Sequence, residues 1–179
     1  MTTADWALVI SICSAFVALL SFVWNVWSKF IYPKPTLVVG FTLQNILDAN
    51  GLSDPFLSLS VTNHGPVACT VTHSFVEIYN GLFRGARIAL INPLSNFPYD
   101  FETTRGPFSG GLPKKIEVGE QFSLHYWYGE NWLDEKILRV GVWDSFNRKH
   151  VCPRSYLREV QKRYLEDKAA GKLAKAEPR

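Results

Sequence analysis

One stretch near the start of the chain constrains the fold more than any other. Residues 6–27 read WALVISICSAFVALLSFVWNVW and contain no Asp, Glu, Lys, Arg or His. At a helical rise of about 1.5 Å per residue, they would extend roughly 32 Å, which is enough to cross the hydrocarbon core of a bilayer. We therefore predict one transmembrane helix over residues 6–28, after an N-terminal flank of residues 1–5. The rest of the chain would then be held at a membrane surface.

The flanks of this stretch indicate an uncleaved anchor and its orientation. The preceding residues, MTTAD, contain no Lys or Arg, and no A-x-A cleavage site follows the stretch. A cleaved signal peptide would have a basic start and a shorter apolar run. Lys29 and Lys34 follow the stretch directly. By the positive-inside rule, these two lysines place the C-terminal domain in the cytoplasm, as in a single-pass protein of a bacterial inner membrane.

Small and polar residues recur along one side of the predicted helix. Their alternating spacings of four and three residues place them on one seam: Ala7, Ser11, Ser14, Ala18, Ser21 and Asn25. Small residues let helices approach closely in lipid, and Ser or Asn can hydrogen-bond across the pair, so the seam predicts a homodimer. The sequence is equally compatible with a lone anchor in which Asn25 is hydrated near the interface.

The next part of the chain predicts a linker and then a β-rich domain. Two prolines disfavour helix in residues 29–35, which we interpret as an extended linker. In residues 36–152, short β-branched and aromatic runs alternate with Gly, Pro and Asn-Gly turns. The clearest run is FLSLSVTN, residues 56–63, in which Leu57, Leu59 and Val61 would share one face and the Ser and Thr residues between them the other. About seven such strands without a helical period predict an antiparallel β-sandwich.

Several local patterns refine this prediction. The alternation of the run over residues 68–79 breaks near His73, which indicates a β-bulge. Ile116 and Val118 alternate before a turn at Gly119. The following strand would place four side chains on one face: Phe122, Leu124, Tyr126 and Tyr128.

Residues 80–115 contain many of the Gly and Pro residues and predict little regular structure. Long loops in compact domains are often functional, although many only cover an open end of the core. The aromatic residues of this segment are therefore our candidate interaction loop: Phe97, Tyr99, Phe101 and Phe108.

The apolar period changes near the C-terminus. Leu157, Val160 and Tyr164 recur at helical spacing and predict an amphipathic helix over residues 153–170, with Ser155 as a candidate cap. Residues 171–179 are predicted to be a disordered tail.

The last part of the chain is basic. Residues 153–179 carry eight Lys and Arg against four Asp and Glu, whereas residues 1–152 carry 11 against 12. The helical basic residues are candidates for contact with anionic lipid: Arg158, Lys162, Arg163 and Lys168. The alternative is a solvated helix that packs its apolar face on the domain. Because acidic residues interrupt the basic face, we expect no nucleic-acid partner.

Three passages carry a resemblance to known domains. LSLSVTNHGPVACTV resembles the second and third strands of immunoglobulin-like and fibronectin type III-like sandwiches, and LPKKIEVGEQFSL resembles the turn and strand that follow their middle strands. RVGVWDSFNRKH is similar to the final hairpin. The resemblance implies an Ig-like sandwich and no particular activity. The Cys-Trp-Cys spacing of antibody domains is missing.

The sequence offers little catalytic or metal-binding chemistry. The four histidines are far apart, and we interpret them as structural; carboxylates such as Asp144 are interpreted as solvated turn residues. Cys69 and Cys152 could be reduced thiols in a cytosolic domain or a disulfide in an exported one. We expect no metal or cofactor and no enzymatic activity.

Two functional hypotheses remain from the sequence. The first is a membrane-anchored, non-enzymatic module that binds a protein partner. The alternative is a ligand-sensing or effector domain that signals through the anchor. An apolar pocket between a set of aromatic side chains would favour the alternative: Tyr126, Trp127, Tyr128 and Trp132.

Overall fold

The computed structural model describes residues 2–28, 35–48, 51–81, 85–95, 110–129 and 131–173. It is mostly β, with antiparallel sheets that follow one N-terminal apolar helix and precede one C-terminal helix. The elements are α1 (Thr3–Val26), β1 (Leu37–Gln44), β2 (Leu47–Asp48), β3 (Gly51–Leu52), β4 (Phe56–Asn63), β5 (Cys69–Tyr79), β6 (Ala86–Leu90), β7 (Lys114–Ile116), β8 (Gln121–Trp127), a 3-10 helix (Asn131–Asp134), β9 (Ile137–Asp144), β10 (Lys149–Val151) and α2 (Arg154–Ala169). Among the described residues, eight strands have three residues or more, against the seven predicted.

The first sheet has the strand order β1-β4-β8. Strand β4 is central, and Leu59 pairs with Phe41 on one side and with Leu124 on the other. The inward face predicted for Leu57, Leu59 and Val61 is confirmed, because all three are fully buried. The inward face predicted for β8 is also confirmed at Leu124, Tyr126 and Tyr128.

The second sheet has the order β10-β9-β5-β6, and the short strand β7 pairs with the start of β5. Strand β5 pairs with β9 over most of its length. The register shifts between Val71 and His73, where a break in the alternation predicted a bulge. The side chains of Val76, Val140 and Val142 face inward and are fully buried.

The inner faces of both sheets and one face of α2 contribute to a single hydrophobic core. Helix α2 buries Leu157, Val160 and Tyr164, which confirms the predicted face. The prediction of Ser155 as its cap is wrong. Pro153 occupies the N-cap position without a side-chain hydrogen bond, and Ser155 lies within the first turn. Proline suits a helix start because its fixed φ matches the helix and its missing N–H leaves no donor to satisfy.

Strand β10 approaches β9 closely at Gly141. A Cβ atom added there would lie 2.2 Å from the His150 carbonyl oxygen and 3.0 Å from the Val151 Cα. Both atoms belong to the backbone of β10, so a side chain at this position would push the strand away. Gly141 is therefore required for the pairing of β10 with β9.

The chain enters the domain at Pro35, and three turns lie at the same end of the sheets. The N–H of His64 donates to the Thr36 carbonyl (2.9 Å), and the N–H of Gly119 donates to the Asn63 carbonyl (2.8 Å). The N–H of Ser145 donates to the carbonyl of Thr70, at the start of β5 (2.9 Å). We define the entry end by these segments: residues 35–36, 64–68, 117–120 and 145–148.

The turn after β7 corrects one expectation from the sequence. Ile116 is fully buried, but Val118 is exposed. The strand ends at Ile116, and the next four residues form a turn in which the Glu120 N–H donates to the Glu117 carbonyl (3.1 Å). Gly119, at a φ of +79°, has the left-handed conformation that this turn requires. The alternation of Ile116 and Val118 therefore does not place them on one strand face.

Candidate membrane helix and interaction surfaces

Helix α1 begins three residues before the predicted start. Thr2 caps it, since the Asp5 N–H donates to the Thr2 hydroxyl and the Thr2 N–H donates to the Asp5 carboxylate (2.6 Å). This reciprocal pair satisfies backbone donors that a helix start leaves open. The sequence contained the signal for it, a Thr followed three residues later by an acidic residue.

Within the part of the chain that the structure describes, α1 is the one helix that is long and apolar enough to span a membrane. None of its residues is buried. Its apolar side chains therefore pack on no other element of the fold. A buried core helix would show the opposite pattern.

Two side chains of the small-polar seam make hydrogen bonds inside α1. The Ser11 hydroxyl donates to the Ala7 carbonyl (2.9 Å), and the Asn25 amide donates to the Ser21 carbonyl (3.0 Å). The amide of an Asn side chain has two N–H donors and a carbonyl acceptor, so this bond uses only part of its capacity. The remaining seam residues, Ser14 and Ala18, are exposed on the helix surface.

Two groups of predicted site residues lie outside the described residues. They are the topology lysines, Lys29 and Lys34, and the aromatic loop residues Phe97, Tyr99, Phe101 and Phe108. The last six residues of the predicted tail, 174–179, also lie outside them.

The outward face of the second sheet combines aromatic and charged side chains. Phe75 stacks on Trp143 with ring centroids 5.1 Å apart, and Lys149 Nζ lies 5.7 Å from the centre of the Phe75 ring. Lys149 also binds Glu77, with 2.7 Å between Nζ and the carboxylate, and Arg139 lies 3.7 Å from the same carboxylate. The Glu77 side chain is thereby buried between two cations.

Aliphatic side chains border this face on both sides. Leu90 and Ile88 of β6 pair with Phe75 and Glu77, so they project from the same face of the sheet. On the other side, Val151 of β10 pairs with Gly141. All three aliphatic side chains are exposed. We call the set the outer patch: Phe75, Ile88, Leu90, Trp143, Lys149 and Val151.

The carboxylate of Asp144 contradicts the prediction of a solvated turn residue. The residue is only 2% exposed, and its Oδ1 accepts the backbone N–H groups of Phe146 (2.9 Å) and Arg148 (2.8 Å). Its Oδ2 lies 3.1 Å from His150 Nε2. Burial alone would raise the pKa of Asp144, but these hydrogen bonds outweigh it and hold the pKa below the usual range. Asp144 therefore fixes the turn between β9 and β10.

The two domain cysteines are free thiols and both are buried. The Cys69 sulfur lies 3.9 Å from the Asp144 carboxylate, whereas the Cys152 sulfur lies 3.4 Å from the Pro153 carbonyl. Burial, with a further contribution from Asp144, raises the pKa of Cys69 to about 11. Burial raises the pKa of Cys152 to about 11 as well. Neither is a thiolate at neutral pH, so neither has the activation that a catalytic cysteine needs.

The basic residues of α2 differ in their surroundings. Lys168 binds Asp134, which also accepts a hydrogen bond from the Tyr164 hydroxyl (3.1 Å). The bond from Lys168 lowers the pKa of Asp134. Lys162 forms an exposed ion pair with Glu166 on the same helix, and Arg158 and Arg163 are exposed. Of the four candidate lipid-facing residues, Lys168 thus contacts the domain, whereas the other three face solvent.

The aromatic residues proposed to line a ligand pocket do not share one face. Tyr126 and Tyr128 point into the core, and Trp132 packs against Phe41 with centroids 6.3 Å apart. Trp127 pairs with Phe56 and therefore projects from the opposite face of the sheet. Two of these rings fill the core, Trp132 packs against it and Trp127 lies outside it.

Over the described ranges, no group of three or more His, Cys, Asp and Glu residues could hold a metal ion. In comparisons with known proteins, no family model matches the chain, and no curated protein matches it.

Proposed function

We propose that this chain is a single-pass membrane protein whose β-rich domain is a non-enzymatic protein-interaction module. The observation that carries the proposal is helix α1, which has 24 residues and buries none of them. Leaving so many large apolar side chains in water is unfavourable by about 25 cal/mol per Å² of apolar surface. A bilayer removes that cost, and the helix has the length to cross one.

We further propose that the two sheets form an Ig-like sandwich. In chain order, β1, β4 and β8 make one sheet, and β5, β9 and β10 make the other. Immunoglobulin domains divide their strands in the same way, with A, B and E in one sheet and C, F and G in the other. Strand β6 lies beside β5, as strand C′ lies beside C in variable-type domains.

The outer patch is the proposed binding surface for a protein partner. It combines exposed aliphatic side chains with the half-buried ring of Trp143, which packs on the fully buried Phe75. Protein interfaces are enriched in aromatic residues. The exposed residues Ile88 and Leu90 lie on β6, at the margin of the second sheet as described. We assign the outer patch to a partner because its aliphatic side chains are exposed on one face of the described domain.

A photo-crosslinking amino acid at Leu90 tests this assignment in the full chain within native membranes. Leu90 should give a discrete adduct that Ile88→Asp abolishes. Val38 supplies the matched control, because it is an exposed aliphatic residue on the first sheet. Equal yields of cross-linked adduct at Leu90 and Val38 would argue against the outer patch as a specific interface. An adduct at Leu90 that persists in the Ile88→Asp variant would argue against it as well.

The proposal includes self-association through α1. The support is the seam, which presents small residues and an Asn25 amide with hydrogen-bonding capacity left over. The double variant Ser14→Leu and Asn25→Leu should lower dimerisation in a membrane reporter assay. Leu19→Ala and Leu20→Ala, away from the seam, are the controls. Association that is unchanged in the double variant would exclude the seam as the interface.

The proposed orientation places the domain in the cytoplasm of a bacterial cell. It is supported by Lys29 and Lys34 after the helix and by two domain cysteines that are free thiols. Because those thiols are buried, Leu47→Cys, at a position 78% exposed, supplies the reporter site. A membrane-impermeant maleimide should label it only after the cells are opened. Labelling of intact cells would show that the domain lies on the outer side of the membrane, opposite to the proposed orientation.

A further inference from the structure

Two large apolar side chains are exposed at the entry end of the domain. Val118 lies in the turn between β7 and β8 and is 57% exposed. Phe146 lies in the turn between β9 and β10 and is 65% exposed. Turns usually carry Gly, Pro, Asn, Asp or Ser at such positions, because the side chains face water. These two turns present apolar groups instead.

The backbone holds both turns in defined positions. The Gly119 N–H, next to Val118, donates to the Asn63 carbonyl (2.8 Å). The Phe146 N–H donates to the buried carboxylate of Asp144 (2.9 Å). The two side chains therefore project from fixed turns. Ordering them at a surface would cost little further conformational entropy.

The chain itself limits how far the entry end can be from α1. Residues 29–34 connect Ser28 at the end of the helix to Pro35 at the entry end. Even a fully extended segment spans at most about 3.6 Å per residue, so Pro35 is within about 25 Å of Ser28. If α1 spans a bilayer, the entry end is the part of the domain that the chain tethers to the lipid head groups.

We propose that the entry end rests on the bilayer, with Val118 and Phe146 inserted at the interface between head groups and acyl chains. This inference rests on the proposed membrane anchor. The guanidinium of Arg148 lies 5.3 Å from the centre of the Phe146 ring. An aromatic ring with a cation beside it suits this depth, because the ring enters the apolar region while the charge stays among the phosphates.

The C-terminal part of α2 lies away from the lipid contact proposed for the entry end. Tyr128, which follows the far end of β8, donates its hydroxyl proton to Asp167 (2.8 Å). Lys168 binds Asp134, which precedes the far end of β9. Asp167 and Lys168 thus lie at the end of the domain opposite to the entry end. Lys168, one of the residues predicted to face lipid, forms its ion pair with Asp134 at that end.

Site-specific fluorescence in the full chain tests the proposal. Single variants Val118→Cys, Phe146→Cys and Leu47→Cys are made in a Cys13→Ala background, labelled with an environment-sensitive dye and reconstituted into liposomes containing anionic lipid. Leu47 is the matched control, because it is an exposed apolar residue in the β2–β3 hairpin, at the opposite end from Pro35. The buried Cys69 and Cys152, with pKa values raised to about 11, react slowly with the label.

The dyes at positions 118 and 146 should emit at shorter wavelength than the dye at position 47. A nitroxide near the lipid head group should quench them about twofold more strongly, as expected for interfacial insertion. Equal behaviour at all three positions would overturn the proposal. Protection from aqueous iodide without quenching by lipid nitroxide would also overturn it, since a protein would then cover the turns.

Flotation of the same liposomes separates this inference from the anchor on which it rests. If the labelled chain fails to float with the lipid, the anchor proposal is wrong. If the chain floats and resists alkaline extraction while the three dyes behave alike, α1 holds the chain in the bilayer but the entry end does not contact it. That result contradicts the interfacial insertion of Val118 and Phe146 alone.

Discussion

At the residue scale, Asp144 shows how a carboxylate in a turn becomes part of the core. It satisfies two backbone N–H groups of its own turn and lies beside the His150 ring. Its pKa is lower in the folded domain than in the unfolded chain. The ionised form therefore stabilises the fold above the unfolded Asp pKa of about 3.9, and this stabilisation is lost as the pH falls through the lower folded value.

Asp144→Asn should lower the free energy of unfolding at pH 7 by about 1–3 kcal/mol, because hydrogen bonds to a charged acceptor become neutral ones. It should also flatten the decline in stability below pH 4. Urea unfolding of the full chain in detergent, followed by tryptophan fluorescence between pH 7 and pH 3, measures both effects. Asp54→Asn, at an exposed position between β3 and β4, is the control. If the free energy of unfolding declines as steeply below pH 4 in Asp144→Asn as in the natural chain, ionised Asp144 does not stabilise the fold.

Two strand glycines differ in what a side chain would meet. Gly141→Ala places its Cβ against the backbone of β10, so we expect a loss of about 1–3 kcal/mol in the free energy of unfolding. In Gly40→Ala the nearest atom is the Ser60 hydroxyl oxygen at 2.7 Å, which can rotate away. Thermal unfolding of the two variants by circular dichroism compares them. Equal stability would show that β10 is not held closely against β9.

At the element scale, the sequence predicted the elements whose burial is regular. The sequence of β4 alternates because Leu57, Leu59 and Val61 all face the core, and α2 shows its buried residues at helical spacing. The three-residue strand β7 left no pattern to find, since so few residues cannot establish a period. The exposure of Val118 could not be predicted either, because the sequence does not show that β7 ends at Ile116.

The packing of α2 gives a prediction with an internal control. Leu157 is buried against the core, whereas Leu165 on the same helix is 60% exposed. Leu157→Ala should cost about 2–5 kcal/mol and Leu165→Ala close to nothing. Amide hydrogen exchange over residues 154–169 would report the loosening of α2. Similar exchange in both variants would mean that the helix is not docked through Leu157.

At the scale of the whole molecule, the sequence indicated the parts of the chain but not how its candidate site is assembled. The apolar helix and the β-rich domain follow from composition and periodicity, which are local properties. The outer patch could not be predicted, because the pairing of Leu90 with Phe75 and of Val151 with Gly141 depends on strand order. The burial of Asp144 depends on contacts between strands in the same way.

The central claim is that α1 holds the domain in a membrane as an uncleaved anchor. The most direct test is the intact mass of the chain recovered from a membrane pellet after washing at alkaline pH. We expect a chain that stays in the pellet and whose mass includes α1, 20.3 kDa for these 179 residues. Release into the wash, or a mass that lacks the N-terminal helix, would contradict it.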